Sequence, residues 1–157
     1  MNYPITRQLH HQLRPPRLPT SFTRRLPPSP HAPAEARRAL DRLRPVVVPD
    51  CLDDIRLLVT ELVTNSYRHA PPDAGAPIDL HVCVGHSTVR VEVRDGGWGF
   101  TPPPAPDLPE EGGRGLYLVG QMADRWGVRQ EPTTCVWFEM DVEKPWQQGG
   151  QTAHSTL

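Results

Sequence analysis

The chain has 157 residues, 37% of them hydrophobic, with 20 prolines and a formal net charge of -1 at pH 7. That length suits one compact domain, and a mean hydropathy of -0.51 fits a chain dissolved in water. No apolar run approaches the about 18 residues that cross a bilayer, and no apolar signal-peptide region opens the sequence; a cytoplasmic protein without a membrane partner is expected.

Residues 1–20 place Pro4, Pro15, Pro16 and Pro19 among Arg, His and Gln without apolar periodicity, and read as a disordered basic tail. Up to Arg44 the chain carries nine arginines against two acids, Glu35 and Asp41; the remainder carries eight Lys or Arg against sixteen acids. Such an arm suits an acidic partner or nucleic acid, but no aromatic residues are interleaved as stacking platforms, and no direct nucleic-acid contact is expected. Residues 21–30 (SFTRRLPPSP) start as a short strand and run into proline. Pro33 then opens a helical stretch, AEARRALDRLR, that Pro45 stops.

A second helix is capped by Asp50 or Asp53 and runs to about His69, where Pro71 and Pro72 end it. Ile55, Leu58, Val59, Leu62 and Ser66 form its core-facing stripe. Glu61, Asn65 and His69 recur every four residues on a separate, polar face. Two alternating strands follow, IDLHVCVG from Ile78 and one built on Val89, Val91 and Val93. Half-buried strands beside amphipathic helices imply helices on one side of a sheet.

Asp95 ends the second strand, DGGWGF follows, and TPPPAPDLP must be an extended loop. EGGRGLYLVGQMADRWG reads as a glycine loop feeding a helix that buries Leu116, Val119, Met122 and Ala123 and closes at Gly127. VRQE and TCVWFEMDV read as the last two strands, and residues 143–157 as a flexible tail. There is no internal repeat. Cys51, Cys83 and Cys135 form no C-x-x-C pair and read as reduced, buried thiols. Trp126 and Trp137 are expected in the core.

Three segments carry chemistry. Glu61 and Asn65, one helical turn apart, set a carboxylate beside a carboxamide; the amide oxygen is a hard, neutral ligand for magnesium, and the carboxylate can take a proton from an attacking hydroxyl. In isolation the pair reads first as an ordinary exposed helix face, since polar pairs at this spacing are common on helices. Asp95-Gly96-Gly97-Trp98-Gly99 offers a carboxylate to an exocyclic base amine and glycines that admit a flat ligand. An Asp-Gly hairpin is the competing reading, but proline rather than another alternating strand follows. Gly112-Gly113-Arg114-Gly115-Leu116 precedes a helix, where free N–H groups and the helix dipole favour an anion and Arg114 adds a fork of donors. A glycine loop with a surface arginine is the bland alternative. No P-loop and no Rossmann glycine motif is present. His81, Cys83 and His86 have atypical spacing for zinc and no evident fourth ligand. His69 stands one turn after Asn65 and suits either a phosphate contact or a helix-end cation.

In this order, E-x-x-x-N, D-x-G-x-G and G-x-G-L resemble the N, G1 and G2 boxes of the Bergerat-fold (GHKL, histidine-kinase-like) ATPases. ELVTNSYRHA, VRDGGWGF and GGRGLYLV are most similar to the anti-sigma-factor serine/threonine kinase branch, and FTRRLPPSPHAPAEARRAL resembles that branch's opening. The resemblance covers roughly residues 21–142. It implies an α/β (α+β) two-layer sandwich, a mixed β-sheet with helices on one face. It implies ATP and magnesium as cofactors, with Glu61 as general base, Asn65 as the magnesium ligand and Asp95 on the adenine amine. Gly97 and Gly99 would shape the base pocket, and Gly113, Arg114, Gly115 and Leu116 would wrap the phosphates. The implied activity is transfer of the γ-phosphate to a serine of an anti-anti-sigma (STAS) partner, joined to silencing of a sigma factor; a homodimer is compatible with it. The family's glycine-threonine pair near the last strand is replaced by EPTTCVW, leaving Thr133 or Thr134 for the nucleotide, and the segment between Gly99 and Gly112 is short and proline-dense. A non-catalytic module, in which ATP only sets affinity for a regulator, needs the same three boxes. A histidine kinase catalytic domain would need an upstream helical hairpin bearing a phospho-accepting His, which this proline-rich opening does not offer.

Overall fold

A computed structural model of the chain describes residues 21–69, 75–96, 114–130 and 133–142. The expected tails, the proline-dense segment after Gly99, and Gly97, Trp98, Gly99 and Gly113 lie outside the described residues. In chain order the elements are β1 (Ser21–Leu26), α1 (Ala32–Ala39) continued by a 3-10 turn (Leu40–Leu43), α2 (Pro49–His69), β2 (Ile78–Val84), β3 (Thr88–Asp95), α3 (Arg114–Met122), β4 (Arg125–Arg129) and β5 (Thr134–Asp141).

Local chemistry explains the helix boundaries. Pro33 stands in the first turn of α1, where its missing N–H costs no helical bond. The chain tightens into 3-10 geometry before Pro45, with Arg44 N–H bonded to the Asp41 carbonyl at 3.1 Å. α2 begins at Pro49, not at an aspartate cap: the Leu52 N–H reaches the Val48 carbonyl at 3.0 Å. Asp50 lies inside the first turn, beside the positive end of the helix dipole. The buried stripe of α2 is as expected, extended by Leu52 and Val63.

The sheet runs β1-β2-β3-β5-β4, and every described pairing is antiparallel. The two-layer α+β sandwich is observed, whereas the expected mixed sheet is antiparallel throughout these pairings. The reason is topological. The crossover through α3 joins β3 to β4, which run in the same direction, but β5 returns between them and pairs antiparallel with both.

One face of the sheet is packed. Ile78, Leu80 and Val82 of β2, Val89, Val91 and Val93 of β3, and Phe138 and Met140 of β5 are buried with Ile55, Leu58, Val59 and Leu62 of α2 in a single core. Each fully buried Val, Leu, Ile or Phe contributes about 1.5–3 kcal/mol relative to an exposed one. α3 adds Leu116 and Val119, with Met122 and Ala123 packed at the margin.

Three sequence readings change here. Gly127 does not close α3; it lies within β4. The helix ends because the Asp124 N–H bonds the Glu139 carbonyl and the Asp124 carboxylate accepts the Asp141 N–H at 2.7 Å, which draws the chain into the sheet. Gly127 instead makes room for Trp137, whose indole Nε1 would lie 2.9 Å from a Cβ there. Neither tryptophan is in the core: Trp126 is 38% exposed, and Trp137 is half-buried under the Arg90 guanidinium, 4.1 Å from its ring centre. Of the cysteines only Cys135 is buried; Cys51 is intermediate, and Cys83 is exposed because strand alternation turns it to the other face of β2.

Candidate functional site

Asn65 and Glu61 project from the second half of α2, both half-buried. The start of α3 packs against them. A Cβ built on Gly115 would overlap the Asn65 side-chain nitrogen and come within 3.3 Å of the Glu61 Cβ. A glycine here leaves the carboxamide in place, because a side chain would have to push the end of Asn65 aside. Neighbouring hydroxyls do not compete for it: Thr64 Oγ1 donates to the Thr60 carbonyl at 2.6 Å, and Thr60 Oγ1 to the Arg56 carbonyl at 2.7 Å. Arg114, the first residue of α3, is exposed, while Gly115 and Leu116 are buried behind it. The guanidinium thus stands at a helix N-terminus, where backbone N–H groups already favour an anion.

A second pair forms on the sheet. Asp95 ends β3 directly opposite Thr134, the first residue of β5. Both follow the alternation of Val91, Val93, Val136 and Phe138 and so turn to the helix-covered face. Thr134 is buried and Asp95 half-buried. The register selects between the two threonines left open by the sequence: Thr134, not Thr133, is the residue across from the carboxylate. Gly96 follows in a tight spot, since a Cβ there would meet the Ala76 Cβ at 2.8 Å.

The structure thus assembles Glu61, Asn65, Arg114, Gly115 and Leu116 at the junction of α2 and α3, and Asp95 with Thr134 at the end of the two central strands. The chemistry of this set suits a nucleoside triphosphate: a neutral oxygen donor and a carboxylate side by side, an anion-favouring helix start, and an acceptor at the strand end. His69, the last residue of α2, is exposed. His81 pairs through Nδ1 with the Thr23 hydroxyl at 2.9 Å, and the described residues hold no group of three or more His, Cys, Asp or Glu arranged for a metal.

The densest charge network, not foreseen from the sequence, lies on the face of the sheet that no helix covers among the described residues. Glu92 is only 7% exposed and accepts from Arg94 at 2.6 Å and from Arg90 and Arg129 at 3.0 Å. Burial pushes its carboxyl up, but hydrogen bonds from Arg94 and Arg90 and the charge of Arg129 outweigh this and hold it below its ordinary value. Glu139 is lowered likewise by Arg125 and Arg90. The signal was the V-R-V-E-V-R alternation, legible as polar but silent about partners on other strands.

The family model of the histidine kinase-like ATPase domain matches residues 26–140, and the chain belongs to that family. Membership of that family implies that the chain binds ATP. Among solved structures, the histidine kinase domain from the Erythrobacter litoralis EL346 blue-light activated histidine kinase is similar, with 28% identity and a TM-score of 0.47 over 58% of this chain and 44% of that one. The chain therefore spans less than half of that protein's length. No curated protein matches it. No helix among the described residues is long and apolar enough to cross a membrane.

Proposed function

We propose that this chain is a magnesium-dependent, ATP-binding protein serine kinase that acts on an anti-anti-sigma (STAS) partner and restrains a sigma factor. The observation that carries this reading is the contact of Gly115 with Asn65 and Glu61, which sets the first turn of α3 against the paired carboxamide and carboxylate of α2. Asn65 would hold magnesium through its amide oxygen, Asp95 and Thr134 would orient the adenine, and Arg114 would screen phosphate charge. Glu61 would accept the proton of the partner's serine hydroxyl at its carboxylate. ATP supplies the transferable phosphoryl group; these residues supply position and charge neutralisation, which is most of what such a transfer requires.

Incubation with radiolabelled ATP and purified STAS proteins tests the activity. The wild-type chain labels a serine, whereas Glu61→Ala binds ATP and labels nothing; a variant that labels at the wild-type rate removes Glu61 from the mechanism. In calorimetry, Asn65→Ala loses the magnesium-dependent part of ATP affinity, by about tenfold, the 1.4 kcal/mol worth of one charge-assisted contact. Magnesium-dependent ATP binding by the wild type, without transfer to any STAS protein, would leave the non-catalytic module as the function.

A further inference from the structure

A second concave surface lies away from all these residues. Phe22, Thr23 and Arg24 of β1 and Glu35, Arg38, Ala39 and Arg42 of α1 and its 3-10 extension line a groove of about 620 Å³. β1 is the edge of the sheet and pairs only with β2 among the described residues. An edge strand offers a row of backbone donors and acceptors to an incoming strand.

The groove selects the sign of its occupant. Three guanidiniums line it against one carboxylate, and that carboxylate already faces Arg24 at 3.5 Å. Arg42 lies over the Phe22 ring at 5.2 Å, which occupies an aromatic face that a nucleobase would otherwise stack on. Glu35 in the wall also repels a phosphodiester backbone. Two occupants from this protein are disfavoured by charge. Residues 1–20 contain Arg7, Arg14 and Arg17 and no acid. A second copy pairing β1 with β1 would bring the Arg24-Arg25 dipeptides of two chains together, and like charges across a ladder are destabilising.

We infer that the β1 edge and the arginine-lined groove beside it form a docking site for an extended acidic segment of a partner protein, which adds a strand to β1. Alternate residues of that segment face the helix layer alongside Phe22 and Arg24, beneath Arg38 and Arg42. The recognised pattern is therefore an acidic residue at every second position. This site is separate from the nucleotide residues and does not depend on the kinase reading.

The test uses isotope-labelled full-length protein, with and without ADP, and two probes, Ac-VEVEVEV-amide and Ac-VKVKVKV-amide. The glutamate peptide shifts the amide signals of Phe22, Thr23 and Arg24 and the lysine peptide does not. Arg38→Glu with Arg42→Glu weakens the glutamate peptide at least tenfold while the chain stays folded, both side chains being exposed and Arg42 giving up its contact with the Phe22 ring; Glu35→Gln tightens it. The inference is overturned if the glutamate peptide leaves those amides unmoved, or if the double variant binds it as well as the wild type. It is equally overturned if oligo-dT shifts the same amides at lower concentration, or if sedimentation shows a dimer that Arg24→Glu dissociates.

Discussion

The two faces of the sheet are built from the same strands and held by different physics. The inner face is a continuous apolar layer under the helices, with Leu80, Val91 and Phe138 at 0% exposure. The outer face is a lattice of ion pairs in which Arg90 joins Glu92 to Glu139, and Arg125 joins Glu139 to Asp141. Apolar burial is non-directional and tolerates partners from any element. The charged face depends on register instead, because Glu92 of β3 reaches Arg129 of β4, and Arg90 reaches Glu139 of β5, only when β3, β5 and β4 align as they do. Packing therefore holds the layers together, while the charge lattice specifies which strand neighbours which.

Three substitutions break or sharpen this contrast. The largest effect is expected from Phe138→Ala, which opens a cavity in the inner layer and lowers unfolding stability by about 3–5 kcal/mol. Urea denaturation measures it, and a loss below about 1 kcal/mol would show that the inner face is not the principal core.

Next is Glu92→Gln, which leaves Arg90, Arg94 and Arg129 facing a neutral amide and costs about 1–3 kcal/mol at pH 7. Its pH dependence has a definite sign. The folded-state carboxyl is held below the ordinary 4.5, so its stabilisation is complete above that value and is lost as pH falls through the depressed one. Thermal melts from pH 7 into strong acid should fall more steeply for the wild type than for Glu92→Gln. Parallel slopes would dissociate the network from acid unfolding.

The smallest effect is that of Arg90→Lys. It keeps the charge but loses the planar stack on Trp137 and the paired donors to Glu92 and Glu139, for about 0.5–1 kcal/mol. With Trp98, Trp126 and Trp146 replaced by Phe in both proteins, Trp137 fluorescence reports the lost stack, and an unchanged emission spectrum would refute it.

Much of the candidate site's local arrangement was legible because its parts are close in the chain. Glu61 and Asn65 share a helix face by the 3.6-residue period alone, and glycines before an apolar helical run announce the start of α3. What was illegible is pairwise across the chain: that Gly115 touches Asn65, and that Thr134 rather than Thr133 faces Asp95. Gly127 shows the same limit. A glycine after an apolar helical run reads as a stop signal, yet Asp124 ends the helix first and Trp137 on another strand needs the space.

The order of elements, the buried stripe of α2 and the alternation of β2 and β3 follow from the sequence by itself, because periodicity and proline placement act over a few residues. The insertion of β5 between β3 and β4, the contact of Glu92 with Arg129 and the groove beside β1 were decided only by tertiary structure. Each depends on segments distant in the chain meeting in one register, and short-range preferences carry no information about that meeting.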